Sequence, residues 1–406
     1  MPRRLVALLI LGVLVASVGP SRASLLPVGG PKCAAEKAPA GAKKVRDDHV
    51  LRVANVNVLH GLTDEPPAYP SSRTLNVRTS LTAAELVKQG VDIVGMEEVS
   101  EVEGPKLDPN HPLQVAQALA ARAAKFSGQT WYWCWFLANP HFPVEPDLQP
   151  GGGGPISETE ATLVSQFTGA PYTKFKEGLA ILSRFPIVDA EGLHLPGRIL
   201  AEAALCPFGS DGTTDPAAIA AGAGDIPGCI ETVGFETRAA LWARMQTPAG
   251  LIDLTTTHLA HGITAGSDLT EIEQAAVALA FSDARSQAAG SPAHRFFTCD
   301  CNSQPDDQVP VIGYIETQGW VNTLPGNCTN DHICTGGPDI IVTPTPHRTM
   351  NERIDYVFAR EGTCTRGSGL TITTPLAPGA SIGGHKNPTN GYLWPSDHFG
   401  VTTNLC

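Results

Sequence analysis

Short apolar runs of strand length take turns along this chain with longer stretches whose apolar positions recur every three or four residues, the two periods of half-buried strands and amphipathic helices. HVLRVANVNVL, beginning at His49, predicts a strand and NVRTSLTAAELVKQG a helix, and DIVGMEEV with PLQVAQALAARAAKF repeats the pair. TWYWCWFLA places Trp131, Trp133 and Trp135 on one face of a strand and Tyr132, Cys134 and Phe136 on the other. GLAILSRFPIV, TRAALWARMQT and LIDLTTTHLA read as further strands, the last two joined by the turn Pro248-Ala249-Gly250. Asp268 and Glu271 open a helix with Leu269, Ile272, Ala276 and Leu279 on one face. HRFFTCDCN, RIDYVFAR and HFGVTTNL close the chain as strands, and no repeat of about 20 to 50 residues is visible.

Several stretches fall outside this rhythm. Residues 1–23 combine a basic start at Arg3 and Arg4, an apolar run from Leu5 to Val18 and the small-x-small site Ser21-Arg22-Ala23, the pattern of a secretory signal peptide. The run is shorter than the roughly 18 to 20 residues a spanning helix needs, so export with cleavage is expected rather than stable membrane insertion. Residues 24–48, rich in Pro, Gly, Ala and Lys, read as a flexible N-terminal segment, and one domain is expected over residues 49–406. Insertions are expected at about 140–176, 201–236 and 322–350, the last two at the rim of a site.

Composition narrows the picture. The chain has 406 residues, 42% hydrophobic and 17% charged, enough apolar surface for a large core. Its net charge of -12 repels polyanions at long range and argues against a passive nucleic-acid-binding module. Ten cysteines in an exported chain favour disulfides over thiolate metal sites. Cys328 with Cys334, and Cys206 with Cys229, bracket short loops and are the preferred local pairs.

The candidate chemistry sits at the ends of these strands, where a rigid element can hold a polar group beside an open loop. Asn57 ends the first strand and Glu98 the DIVGMEEV strand, with Glu97 facing the opposite way. His258 ends LTTTHLA, while Asp300 and Asn302 share one face of CDCN and Cys299 and Cys301 the other. Asp355, inside the apolar RIDYVF, needs a partner, and Asp397-His398 in WPSDHFGV supplies a histidine and a further carboxylate. Asn57, Glu98 and Asp397 are hard oxygen donors suited to Mg²⁺, with Mn²⁺ or Ca²⁺ as alternatives. His398, oriented by Asp355, can take a proton from water, and His258 can hydrogen-bond phosphoryl oxygens. A zinc site on the Cys299 and Cys301 thiolates is the competing reading of CDCN.

The set NVLHG, DIVGMEEV, GLAILSRFPI, THLAH, CDCNS, RIDYVF and PSDHFGV resembles the endonuclease/exonuclease/phosphatase superfamily, which includes pancreatic-type deoxyribonuclease, bacterial sphingomyelinases and inositol polyphosphate phosphatases. The resemblance runs from about Leu51 to Leu405. It implies an α+β fold, a four-layered αββα sandwich of two mixed β-sheets flanked by helices, and a Mg²⁺-dependent phosphoric ester hydrolase. By motif position it makes Asn57, Glu98 and Asp397 metal residues, and gives catalytic roles to His258, Asp300, Asn302, Asp355 and His398. Arg238, with Asn302, is implied to approach phosphate. The chain departs from the family's usual Gly-Asp-Phe-Asn at Cys299-Asp300-Cys301-Asn302 and from Gln-Glu at Glu97-Glu98. The expected substrate is a phosphodiester, either nucleic acid or a phospholipid headgroup, handled outside the cell. A catalytically inactive binding or adhesive protein on the same fold is the alternative.

Overall fold

Two mixed sheets lie face to face, with helices packed on the outer side of each, in a computed structural model that describes residues 30–42, 44, 50–59, 71–103, 114–142, 174–195, 238–260, 267–292, 294–305, 311–328, 333–336 and 342–406. With strands numbered along the chain, the first sheet runs in the order β1 (Lys32–Glu36), β4 (Trp131–Phe142), β5 (Lys174–Ser183), β3 (Ile93–Glu103), β2 (Arg52–Asn57), β17 (Gly400–Leu405) and β13 (Thr365–Thr371). The second runs β10 (Trp320–Asn322), β12 (Asp355–Arg360), β9 (His294–Asp300), β8 (Gly250–His258), β7 (Ala239–Thr247) and β6 (Ile187–His194). β2 with β3 and β8 with β9 are the parallel pairs, and their neighbours in each sheet run antiparallel.

Helices α1 (Ser71–Lys88) and α2 (Val115–Ser127) cover the first sheet, and α3 (Ser267–Ala288) and α4 (Val311–Thr317) the second. α2 starts where Gln114 accepts the Ala116 N–H and stops where Gly128 turns left-handed at φ 67°. Leu75, Leu86, Leu119 and Ala123 of α1 and α2 pack on Met96, Trp131, Trp133 and Trp135, so the tryptophan face of β4 points outward to the helices as its alternation predicts. Phe136, on the opposite face, joins Val53, Ile93, Ile181, Leu241, Leu254, Phe296 and Val357 between the sheets. Beyond the second sheet, Trp242, Phe297 and Tyr356 pack under Ala275, Leu279 and Ile315. The sheets come very close at Gly95, where a Cβ would lie 2.2 Å from Thr298 Oγ1.

Three differences from the sequence reading have physical causes. Within the segment read as a flexible N-terminus, Lys32–Glu36 forms edge strand β1, paired antiparallel with β4 and tied to it by a Cys33–Cys134 disulfide. GLAILSRFPIV is two strands rather than one: β5 ends at Ser183, and after Pro186 the chain enters the other sheet as β6. β3 does not end at Glu98 but runs on to Glu103, with a register shift between Met96 and Val99. The expected signal peptide, the 201–236 insertion with its Cys206–Cys229 pair, and most of the 140–176 insertion lie outside the described residues. Cys328–Cys334 is bridged as its spacing predicts, and Cys299–Cys301 and Cys364–Cys406 are bridged as well. The bridge at Cys299 and Cys301 leaves no thiolate there for zinc.

Candidate active site

The strand directions put one edge of the sandwich in charge of the polar residues. β2, β8 and β9 end there with Asn57, His258 and Asp300, and the antiparallel β12 begins there with Asp355. His398 lies just before β17, which runs antiparallel to β2. Glu98 reaches the same edge from mid-strand because of the irregularity in β3: its backbone turns left-handed, at φ 55°, and the bulge re-aims its side chain. Glu97 points inward instead, fully buried, and takes a 2.7 Å hydrogen bond from Thr256 Oγ1 of the opposite sheet.

A continuous polar network results. His398 Nδ1 lies 2.8 Å from Asp355 Oδ2, so the ring directs its Nδ1 proton to Asp355 and Nε2 is the nitrogen left away from that contact. Asp300 Oδ2 is 3.8 Å from the same His398 nitrogen and 3.5 Å from His258 Nε2. Asn57 Nδ2 donates to Glu98 Oε1 at 2.8 Å and to Asp300 Oδ2 at 3.0 Å, linking the two sheets. Asn302, left-handed at φ 49°, donates its backbone N–H to Asp300 Oδ1, and its amide lies 3.0 Å from His258 Nε2 and 2.9 Å from the Leu259 carbonyl. Asp397 Oδ1 is 3.9 Å from His398 Nε2 and accepts from Ser396 Oγ.

Crowding of buried acids sets the electrostatics. Burial, then the neighbouring Asp355 charge, pushes the Asp300 carboxyl up to about 7, against the opposing pull of His398 and the Asn57 hydrogen bond. Burial disfavours a charged His398, but Asp355, Asp397 and Asp300 outweigh it and hold the ring well above the usual histidine range. Glu97 is pushed well above the carboxylate range by burial, only partly offset by Thr256.

The donor set suits a divalent cation. Ligand atoms of Glu98, His258 and Asp300 lie within 4.8 Å of one another, as do those of Asp300, Asp355 and His398. Asp355 Oδ1 is buried without a partner among the described residues, and this concentration of carboxylates favours added positive charge. Two expected metal residues stand differently. Asp397 lies beside His398 and joins neither three-residue group among the described residues. Asn57 Oδ1 accepts the Leu59 N–H at 2.9 Å and its NH₂ faces the acids, so in this amide orientation it bridges carboxylates rather than offering a cation a ligand oxygen. Arg238, buried immediately before β7, stands next to the end of β8 that carries His258.

The sequence reading missed Thr335. Its Oγ1 accepts from the Ile354 and Asp355 N–H groups at 3.1 and 3.0 Å, and its carbonyl accepts from Phe399 N–H at 2.7 Å, so it pins both members of the Asp355–His398 pair. It lies in the 322–350 stretch, directly after bridged Cys334. Nothing in its local sequence marks it.

A sandwich whose open edge gathers a histidine–aspartate pair, two amides and several carboxylates defines the class: a metal-assisted hydrolase centre. The chain belongs to the endonuclease/exonuclease/phosphatase family, whose model matches residues 54–398 and whose members are phosphoric ester hydrolases dependent on divalent metal. Similar solved structures include a family protein from Bacteroides thetaiotaomicron, 14% identical at TM-score 0.49 over 88% of this chain and 98% of that one. Also similar are a mannosyl-6-phosphatase of the same species, 14% identical at TM-score 0.48 over 88% and 99%, and truncated Caenorhabditis elegans TDP2, 13% identical at 0.45 over 88% and 97%. No curated protein sequence matches the chain significantly.

Proposed function

We propose that this chain is an exported phosphodiesterase that hydrolyses its substrate with a water activated by His398 and Asp355. The observation that carries this reading is the 2.8 Å contact between His398 Nδ1 and Asp355 Oδ2, which leaves Nε2 available at the site edge. In this mechanism His398 Nε2 accepts the proton of the attacking water, and Asp355 orients the ring and stabilises the imidazolium that forms. Burial opposes charge on the ring, but Asp355, Asp397 and Asp300 favour the protonated state. His398 therefore acts as base only in its neutral form, and a cation held among the same carboxylates would offset their pull. The Asn302 amide and the His258 ring, held 3.0 Å apart, hydrogen-bond the phosphoryl oxygens. Glu98 and Asp397 would hold the cation, and Asn57, hydrogen-bonded to Glu98 and Asp300, keeps both carboxylates in place. When bound, a divalent ion, Mg²⁺ or failing that Mn²⁺ or Ca²⁺, supplies positive charge that polarises the phosphoryl oxygens.

Export is supported by the leader pattern of residues 1–23 and by the disulfides among the described residues. The net charge of -12 favours a compact phosphodiester, such as a phospholipid headgroup, over long polymeric nucleic acid. The test is a panel of sphingomyelin, DNA, RNA and bis(p-nitrophenyl) phosphate assayed with Mg²⁺ and with excess chelator. Hydrolysis that disappears with chelator and returns with Mg²⁺ is expected. Turnover indifferent to chelator contradicts the mechanism, and a strong preference for long DNA contradicts the substrate assignment.

A further inference from the structure

One buried cation stands behind the metal-side residues. Arg78, in the second turn of α1, is 1% exposed. Its Nε donates to the Pro395 carbonyl at 3.0 Å, and its Nη2 to the Val58 and Leu59 carbonyls at 2.6 Å each. Val58 and Leu59 follow Asn57, and Pro395 comes two residues before Asp397. A single guanidinium thus joins the two backbone segments that deliver Asn57 and Asp397, although more than 300 residues separate them along the chain.

The remaining nitrogen carries the argument to Glu98. Among the described residues Arg78 Nη1 is buried without a hydrogen-bond partner, and so is Ser100 Oγ on β3. Both residues line one cavity, which Glu98 also lines and which offers about 10 Å³ to the centre of a water molecule. That is about the space of one water, and a buried water needs two to four polar partners. Arg78, Ser100 and Glu98 are polar residues of the cavity's lining. Leaving Arg78 Nη1 and Ser100 Oγ both dry would be costly, because a buried polar group without a partner keeps its full desolvation penalty.

We propose that Arg78 is the positioning residue of the metal centre, fixing Asn57 and Asp397 through their backbones and Glu98 through one enclosed water shared with Ser100. This rests on the reading of these residues as the cation's surroundings. Arg78 touches neither substrate nor cation; it acts through the three side chains it holds in register. Lysine keeps the charge but cannot reach both segments with one planar fork.

The test is Mn²⁺ binding to the folded protein, read by electron paramagnetic resonance without substrate, together with KM and kcat for bis(p-nitrophenyl) phosphate. Arg78→Lys is expected to weaken Mn²⁺ binding about 10- to 100-fold, the range seen when the support of metal ligands is removed. KM should stay within about twofold once Mn²⁺ is saturating, which a general loss of structure would not allow. Ser100→Val, which leaves Arg78 in place and fills the water's position, should weaken binding by a smaller factor, about threefold. Wild-type Mn²⁺ affinity in folded Arg78→Lys overturns the proposal. Should that variant fail to fold, wild-type affinity in Ser100→Val overturns it instead. A wild-type protein that binds Mn²⁺ but hydrolyses no phosphodiester overturns the hydrolase reading and leaves the positioning claim to the variants.

Discussion

The two sheets contribute to the site in different ways. On the first sheet's side, Asn57 ends β2, while Glu98 sits on the bulge of β3 and Asp397 and His398 on the segment before β17, with Arg78 hydrogen-bonded to the backbone after Asn57 and before Asp397. On the second sheet's side, His258, Asp300 and Asp355 sit at the ends of adjacent strands, Asn302 follows two residues after β9, and a Cys299–Cys301 disulfide straddles Asp300. Cross-strand pairing sets Asp300 opposite Asp355, and β8–β9 pairing sets His258 beside Asp300. One side is thus positioned by polar contacts that can adjust around a cation, the other by a sheet ladder and a covalent link. Both sides meet at the acids: each candidate cation group combines one residue of the first side with two of the second.

Breaking the contact that joins the sides should have the largest effect. His398→Ala, or Asp355→Asn, is expected to lower kcat by about 10²- to 10⁴-fold with the fold intact by circular dichroism. A protein that only binds its partner would show no such loss. Next comes Glu98→Gln, which removes a charge from the adjustable side. It should weaken Mn²⁺ binding in a titration by about 10-fold or more while leaving the second sheet's residues in place.

The rigid side is probed by its bridge. The paired change Cys299→Ala with Cys301→Ala should lower kcat by about tenfold, because a displacement of Asp300 and Asn302 of the order of 1 Å is costly in a positioned site. By contrast Cys33→Ala with Cys134→Ala, at the far edge of the first sheet, should lower thermal stability by about 2–5 kcal/mol and leave kcat unchanged. Equal effects of the two pairs on kcat would erase the distinction between a bridge that positions catalytic groups and one that fastens an edge strand.

What the sequence disclosed follows the same division. Residues at the ends of regular strands were legible because period-two alternation fixes their side: His258, Asp300 and Asp355 could be placed without coordinates. Glu98 was assigned to the right face for an incomplete reason, since its strand continues and only a left-handed bulge turns the side chain out. β1 was illegible: KCAAE has no alternation, and its place depends on pairing with β4 and on a bridge 101 residues away. Pro186 marked a break inside GLAILSRFPIV, yet local pattern does not reveal that the chain changes sheets there. Arg78 reads as an ordinary helix arginine, because what buries it, the carbonyls after Asn57 and before Asp397, comes from both ends of the domain. Thr335 was missed for the same reason.

The central claim is that these scattered residues surround one cation at the seam between the sheets. Anomalous diffraction from crystals grown with Mn²⁺ tests it most directly. The expected result is a peak touching the Glu98 carboxylate, beside Asp300 and the Asp355–His398 pair. A protein that binds Mn²⁺ elsewhere on its surface, with Glu98 and Asp300 remote from any peak, would contradict the account.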